Sequence, residues 1–152
     1  MPWTSAVPAT IDALVERLGT SPEFEGVMVW DGPQVTKAGP RTVLTVGWTG
    51  DDTNADVELT AAREGLAAGR DRESFTIRCA AAVLTGDTKI AAARRRAYEL
   101  YAGAGAVLAR DPRLGGAVLN ARIGSHTLTQ DQTPSGAQAV IVFGVDCDAY
   151  TR

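Results

Sequence analysis

The segment at residues 137–149 constrains the fold most. Apolar residues occupy every second position, and some of the positions between them are apolar as well. Successive side chains of a β-strand point to opposite faces of the sheet, so the alternation predicts a strand. Its second side includes Val140 and Val142. Because strands buried on both faces are apolar on both faces, we expect a central strand that is covered on each side. The first side is a longer apolar series, formed by Ala137, Ala139, Ile141, Phe143, Val145 and Cys147.

A second long strand is predicted at residues 72–84. Phe75, Ile77 and Cys79 point to one side, whereas Thr76 and Arg78 point to the other. The other predicted strands share alternation or residues that suit a pleated surface, and they are residues 26–30, 41–48, 55–63 and 117–128. The predicted loops and tips are rich in glycine, proline and polar residues, and they are residues 34–40, 50–56, 64–71 and 129–136.

The longest helix is predicted at residues 89–110, where an apolar stripe recurs in steps of three and four. Asp87 or Thr88 can cap it, and Pro112 ends it because proline disfavours helical conformation in the residue before it. Gly103 and Gly105 each weaken the helix by ~1 kcal/mol relative to alanine. They either allow another backbone to approach closely or mark a bend, which puts the continuity of the helix in doubt. The stripe consists of Ile90, Ala93, Ala97, Leu100, Ala104, Val107 and Leu108.

A shorter helix is predicted before the strands, with Thr10 as its N-cap and Gly19 at its end. Its apolar face is formed by Ile11, Leu14, Val15 and Leu18. Strands outnumber helices in the predicted order, and a short polar tip joins the last two strands. The chain is therefore predicted to be a single α+β domain over residues 1–152. We expect an antiparallel or mixed sheet, with the short N-terminal helix and the long helix packed on one face.

Side chains suited to catalysis are sparse. General acid–base and triad chemistry usually needs a histidine with partners, and the only histidine, His126, is expected to be solvated at the end of a strand. Asp51, Asp52 and Asp56 lack the regular spacing of a calcium loop. A turn in which Asp and Asn side chains bond their own backbone is the favoured interpretation. We assign no catalytic, cofactor-binding or metal-binding residue and expect that the chain is not an enzyme.

Cys79 and Cys147 lie within alternating apolar runs, which favours two buried free thiols. A disulfide stays open, because the sequence does not tell whether their strands are neighbours. No secretory signal and no stretch long enough to cross a membrane is recognised.

A basic cluster lies near the start of the long helix, at Lys89, Arg94, Arg95 and Arg96. It is either a patch for phosphate or an acidic neighbouring subunit, or a solvated helix face. The formal net charge of −3 gives the chain no general attraction to nucleic acid.

A set of short motifs resembles a known family. The motifs are FTIRC at residues 75–79, GD at 86–87, ARRRA at 93–97, DPRLGG at 111–116, LTQDQ at 128–132 and GA at 136–137. Further upstream, EGLA at residues 64–67 and GR at 69–70 extend the likeness. In this order they resemble small tail-assembly proteins of long-tailed phages and prophages of actinobacteria, which are regarded as tail terminators. The resemblance covers roughly residues 8–150.

The resemblance implies an α+β fold related to the lambda-type terminator and a structural role in the virion. Such a protein forms a hexameric ring that caps the tail tube and joins it to the head–tail connector, and DNA only passes through the ring. The implied partners are copies of itself, the tail tube protein and the connector, and assembly takes place in the bacterial cytoplasm. Two alternatives stay open: another neck component, such as a connector or head-completion protein, and a small nucleic-acid-binding module that uses Lys89 and Arg94–Arg96.

Overall fold

The computed structural model describes residues 3–35, 39, 41–63 and 69–152. Its regular elements, in chain order, are α1 (Val7–Thr20), β1 (Met28–Asp31), β2 (Thr42–Val46), β3 (Val57–Arg63), β4 (Asp71–Leu84), α2 (Ile90–Arg110), β5 (Asn120–Thr133) and β6 (Gly136–Tyr150). Short 3-10 turns lie at Pro22–Phe24 and Leu114–Gly116.

The strands form one mixed sheet in which β4 and β6 are central. The order is β1-β2-β4-β6-β5, and β3 also pairs with β4. Strands β2 and β3 share one edge of β4: β2 pairs with its C-terminal half and β3 with its N-terminal half. Only the β1–β2 pair is parallel among the strands that the structure describes. The predicted α+β class with a mixed sheet is confirmed.

Both helices pack on one face of this sheet, which makes a two-layer structure. α2 lies across β4, β5 and β6, and α1 lies against β1 and β2. The buried side of α2 is mostly alanine and glycine, so its backbone can approach the sheet closely. Phe75 and Phe143 fill the space on the sheet side. The buried residues of α2 are Ala93, Ala97, Leu100, Gly103, Ala104, Val107 and Leu108.

Helix α2 is continuous through Gly103 and Gly105, so the predicted doubt about its continuity was wrong. A Cβ on Gly103 would lie 3.1 Å from Cβ of Glu23 and 3.5 Å from Phe24. The glycine therefore marks a close approach rather than a bend. Arg110 at the end of α2 forms a bidentate ion pair with the Glu23 carboxylate, and this pair holds the pKa of Glu23 down at about 2.

The predicted start of the first helix was wrong. α1 begins at Val7 with Ala6 as its N-cap, and Thr10 is buried inside the helix, where its hydroxyl donates to the Ala6 carbonyl. The cap of α1 is supplied by a side chain of strand β4. The carboxylate of Glu73, only 1% exposed, accepts hydrogen bonds from the Ala6 amide and the Ser5 hydroxyl, both at 2.7 Å. A negative charge here also interacts favourably with the helix dipole.

Two further expectations were wrong. Most of the polar tip predicted at residues 129–136 belongs to strands β5 and β6, which are joined by a turn at Pro134 and Ser135. β6 is central, but it is not covered on both faces. Val140 and Val142 are half-buried on the face opposite the helices, and no described helix packs there. Much of the predicted loops 34–40 and 64–71 lies outside the described residues, and Asp71 already begins β4.

Replacing Glu73 should destabilise the fold, because the substitution removes two hydrogen bonds to a buried charged group. We expect Glu73→Ala to lower the free energy of unfolding by about 2–3 kcal/mol. Urea denaturation followed by circular dichroism measures the change. The control is Glu16→Ala on the exposed side of α1, which should change stability by less than about 0.5 kcal/mol. Equal effects of the two substitutions would contradict the capping role.

The two glycines of α2 should respond differently to alanine. Gly105→Ala should raise the free energy of unfolding by about 0.5–1 kcal/mol, because the added Cβ would meet only Ile123 at an ordinary 3.9 Å. Gly103→Ala should stabilise less or destabilise, because the 3.1 Å contact with Glu23 opposes the gain in helix propensity. Thermal and urea unfolding of the two variants measure the difference, and equal stabilisation would contradict the close packing at Gly103.

Candidate interaction surface

His126 is exposed, as predicted, but it belongs to an aromatic cluster inside a strand rather than lying at a strand end. It lies within β5, next to a register irregularity between Ile123 and His126. Its Nε2 is 3.1 Å from the hydroxyl of Tyr98, and its ring centroid is 4.6 Å from that of Tyr101. Tyr101 in turn packs edge-on against Phe143. The histidine therefore connects α2 to the edge strand. No carboxylate hydrogen bond to it is found among the described residues.

The acidic loop at residues 50–56 forms the predicted side-chain-bonded turn. Asp51 accepts hydrogen bonds from the Thr53 backbone amide at 2.8 Å, from the Thr53 hydroxyl at 2.6 Å and from the Asn54 side-chain amide at 2.8 Å. The Thr53 bonds are the main reason why the pKa of Asp51 is lowered, so this carboxylate stays charged at neutral pH. The described ranges contain no group of three or more His, Cys, Asp or Glu side chains placed to hold a metal ion.

Cys79 and Cys147 are free and buried, as the sequence predicted. They lie on the helix-covered face, in β4 and β6 respectively, and they are not directly opposite each other in the register. Burial raises the pKa of each thiol to about 12. Because the thiolate is the reactive form, these residues pack the core rather than provide a nucleophile.

The sheet face opposite the helices, here called the open face, carries two rows of mostly apolar side chains. The pairing register places Met28, Val43, Ala82 and Val140 in one row across four strands. The neighbouring row, in the same register, is Trp30, Thr45, Ala80 and Val142. Met28 is 52% exposed and Val140 and Val142 are half-buried, whereas Val43, Thr45 and Ala80 are buried within the subunit. Apolar side chains that stay exposed next to one another on a sheet are typical of a surface that contacts another molecule.

The rest of the open face is polar and ordered by hydrogen bonds. The Thr76 hydroxyl donates to Asp146 at 2.7 Å, and the Ser74 hydroxyl donates to Asp148 at 2.9 Å. These bonds join β4 to β6 and fix the carboxylates in place. A groove of about 410 Å³ runs between them and β3, and it is lined by side chains that include Glu58, Thr60 and Arg122.

A second groove of about 440 Å³ lies between the loop at residues 49–54 and strand β5. Its floor includes Val142, Gly144 and Arg78. Gly144 must lack a side chain, because a Cβ there would lie 2.7 Å from Cγ2 of Thr76. Arg78 Nη2 is 3.5 Å from Glu58 Oε2, but its buried Nε has no hydrogen-bond acceptor within the part of the chain that the structure describes. A buried donor of this kind usually has a hydrogen-bond partner in folded proteins.

The basic cluster of α2 lies on the opposite side of the molecule. Arg96 forms an ion pair with Glu99 at 3.0 Å. Arg94 donates to the neutral side-chain oxygen of Gln130 at 2.7 Å, and Arg95 is exposed. Neither Arg94 nor Arg95 has an acidic partner among the described residues. The cluster is therefore only partly neutralised within the subunit.

The predicted capping of α2 by Asp87 or Thr88 was wrong, because the N-cap residue is Lys89 and, among the residues that the structure describes, no side-chain bond caps the helix. The Asp87 carboxylate instead accepts a hydrogen bond from the Lys89 amide at 2.9 Å. This carboxylate lies where the helix dipole favours negative charge. Among the predicted loops and tips, the loop at residues 50–56 borders a groove. The tip at 129–136 is mostly strand, and most of the segment 64–71 lies outside the described residues.

No protein-family model matches the sequence, and the search of curated proteins finds no match. Within the described ranges, neither helix combines the length and the apolar character needed to cross a lipid bilayer.

The two thiols should be inert in the folded protein, because their pKa is raised to about 12 and both are buried. At pH 8 we expect a thiol-specific disulfide reagent to label neither cysteine until urea unfolds the chain, when the pKa returns to about 8.5. The matched control is Ser135→Cys, whose exposed thiol in the β5–β6 turn should react at once. Rapid labelling of native Cys79 or Cys147 would contradict the assigned burial.

Proposed function

We propose that this chain is a structural virion protein, a tail terminator that forms a ring, caps the tail tube and joins it to the head–tail connector. The proposal starts from the resemblance of the motifs between residues 75 and 137. The structural observation that carries it is the open face, where Met28, Val140 and Val142 stay at least partly exposed beside two grooves on a rigid sheet. A monomer would leave this surface in water, whereas a subunit of an assembly can bury it.

The positions of the reactive side chains in the fold support a structural role. The thiols are in the core, His126 contacts tyrosines, and Asp51 stabilises its own turn. Each of these groups has a packing or capping partner that accounts for its position. We propose on this basis that the chain acts through its surfaces rather than through catalysis.

The proposed partners follow from that role. Copies of the chain form the ring, which we propose to be hexameric. One end of the ring meets the tail tube protein and the other meets the connector protein. DNA passes through the ring, and the acidic net charge favours passage without tight binding. The proposed location is the neck of the virion, assembled in the cytoplasm of the bacterial host.

The test is assembly of the purified chain, alone and with isolated tail tubes, measured by mass photometry and negative-stain imaging. We expect a closed ring of uniform stoichiometry that binds one end of the tube. Val140→Asp should weaken ring formation at least tenfold, because it places a charge in the apolar rows of the open face. Leu119→Asp, an exposed apolar position outside those rows, is the matched control and should assemble normally. Circular dichroism checks that both variants fold.

A chain that stays monomeric at every concentration and never binds tubes would contradict the proposal. A ring that binds only the connector would instead favour another neck component. The gene order offers an independent check, because a terminator gene is expected just upstream of the gene for the major tube protein.

The incompletely neutralised Arg94 and Arg95 favour one second candidate, a nucleic-acid-binding module. Such a module would bind DNA with a steep salt dependence, because each phosphate contact releases counterions. A DNA-binding titration at low and high salt separates the two roles. Under the proposed structural role, this cluster should not bind DNA. Replacing both Arg94 and Arg95 with alanine should therefore leave DNA binding unchanged.

A further inference from the structure

We propose that the open face of one copy docks onto the exposed side of α2 in the next copy, head to tail. This inference rests on the proposed function, because it names the two surfaces through which neighbouring ring subunits meet. The surfaces lie on opposite sides of the same two-layer body, so every subunit can use both at once. A contact between two different surfaces repeats from subunit to subunit, and it closes into a ring when the rotation allows.

The exposed side of α2 suits close packing against a sheet. Ala91, Ala92 and Ala102 are exposed and small, so the helix backbone can lie near another surface. Tyr98 is 37% exposed beside them and offers a flat apolar ring with a polar end. Val140 and Val142, the half-buried members of the two rows in β6, provide a matching apolar surface.

Charge determines which surfaces can pair. Glu99 is the one acidic residue of α2 and is already paired with Arg96. Arg94 and Arg95 therefore leave the exposed side of α2 positive. On the open face and its bordering loop, acidic residues outnumber basic ones: Asp51, Asp52, Asp56, Glu58, Asp146 and Asp148 stand against Arg72, Arg78 and Arg122.

The same charges exclude the symmetric arrangements. Two open faces placed against each other would bring carboxylates together, and two α2 surfaces would bring Arg94 and Arg95 of both copies together. Like charges across an interface cost several kcal/mol. Head-to-tail contact is the pairing of these two surfaces that opposes unlike charges, and it also makes a chain or ring rather than a closed dimer.

The test is charge reversal on each surface separately. One variant carries Arg94→Glu and Arg95→Glu, and the other carries Asp52→Lys and Asp56→Lys, since both aspartates are exposed. Sedimentation velocity and mass photometry measure assembly. Each variant alone should associate at least tenfold more weakly than the unmodified chain, which corresponds to about 1.4 kcal/mol.

Mixing the two variants in equal amounts should restore rings. In an alternating ring, each interface joins either two unmodified surfaces or two reversed surfaces, so every contact opposes unlike charges. The restored rings should alternate the two variants, which a mass difference from a tag on one of them reveals. The matched controls reverse charges elsewhere: Arg113→Glu for the arginines, and Asp12→Lys with Glu16→Lys for the aspartates. The controls should assemble like the unmodified chain.

The outcomes separate this inference from the proposed function. If the unmodified chain forms rings and the reversed variants form them equally well, or if mixing restores nothing, the head-to-tail contact is wrong while the ring stands. If the unmodified chain never forms a ring, alone or on tubes, the proposed function itself is wrong. Circular dichroism and urea unfolding of each variant verify that loss of assembly does not reflect loss of folding.

Discussion

The antiparallel pairing of β4 with β6 is the contact on which the rest of the structure depends. It runs from Arg72 opposite Tyr150 to Leu84 opposite Gln138. This register brings Phe75, Ile77 and Phe143 to the face that α2 covers. A slip of one residue between the two strands would move the apolar side chains of one of them to the opposite face. Strands β2 and β3 pair with the free edge of β4, and β5 pairs with the free edge of β6, so the other strands take their positions from this pair.

Local patterns predicted this framework well. The alternation at residues 72–84 and 137–149 and the stripe of α2 depend only on neighbours along the chain, so one sequence suffices to find them. The N-terminus of α1 could not be found in this way. Its cap is the Glu73 carboxylate, which lies 67 positions away along the chain from Ala6. Thr10 matched the local signal for a cap, but tertiary contact places it inside the helix.

The remaining errors share one physical cause, which is the position of a strand within the sheet. The polar residues at 129–133 are typical of a loop, yet they form the outer strand of the sheet, where most side chains face water. The apolar residues Val140 and Val142 led to the prediction that the strand is covered on both faces. A sequence shows that a strand face is apolar, but it does not show whether another element covers that face. The open face could not be predicted from the sequence either. Met28, Val43 and Ala82 come from separate segments, and only the register aligns them with Val140.

The shared edge of β4 has a consequence for the chain between β2 and β3. At the point where the two strands meet, the Arg78 carbonyl accepts a hydrogen bond from the Gly47 amide at 2.8 Å. The Arg78 amide donates a hydrogen bond to the Asp56 carbonyl at 2.9 Å. Both ends of the connecting loop are thus clamped to one residue, independently of the loop between them. Since loop length costs little free energy once the ends are held, residues 48–55 can lengthen, shorten or accept a grafted peptide without shifting either strand. Related chains could diversify there while their frameworks stay superimposable.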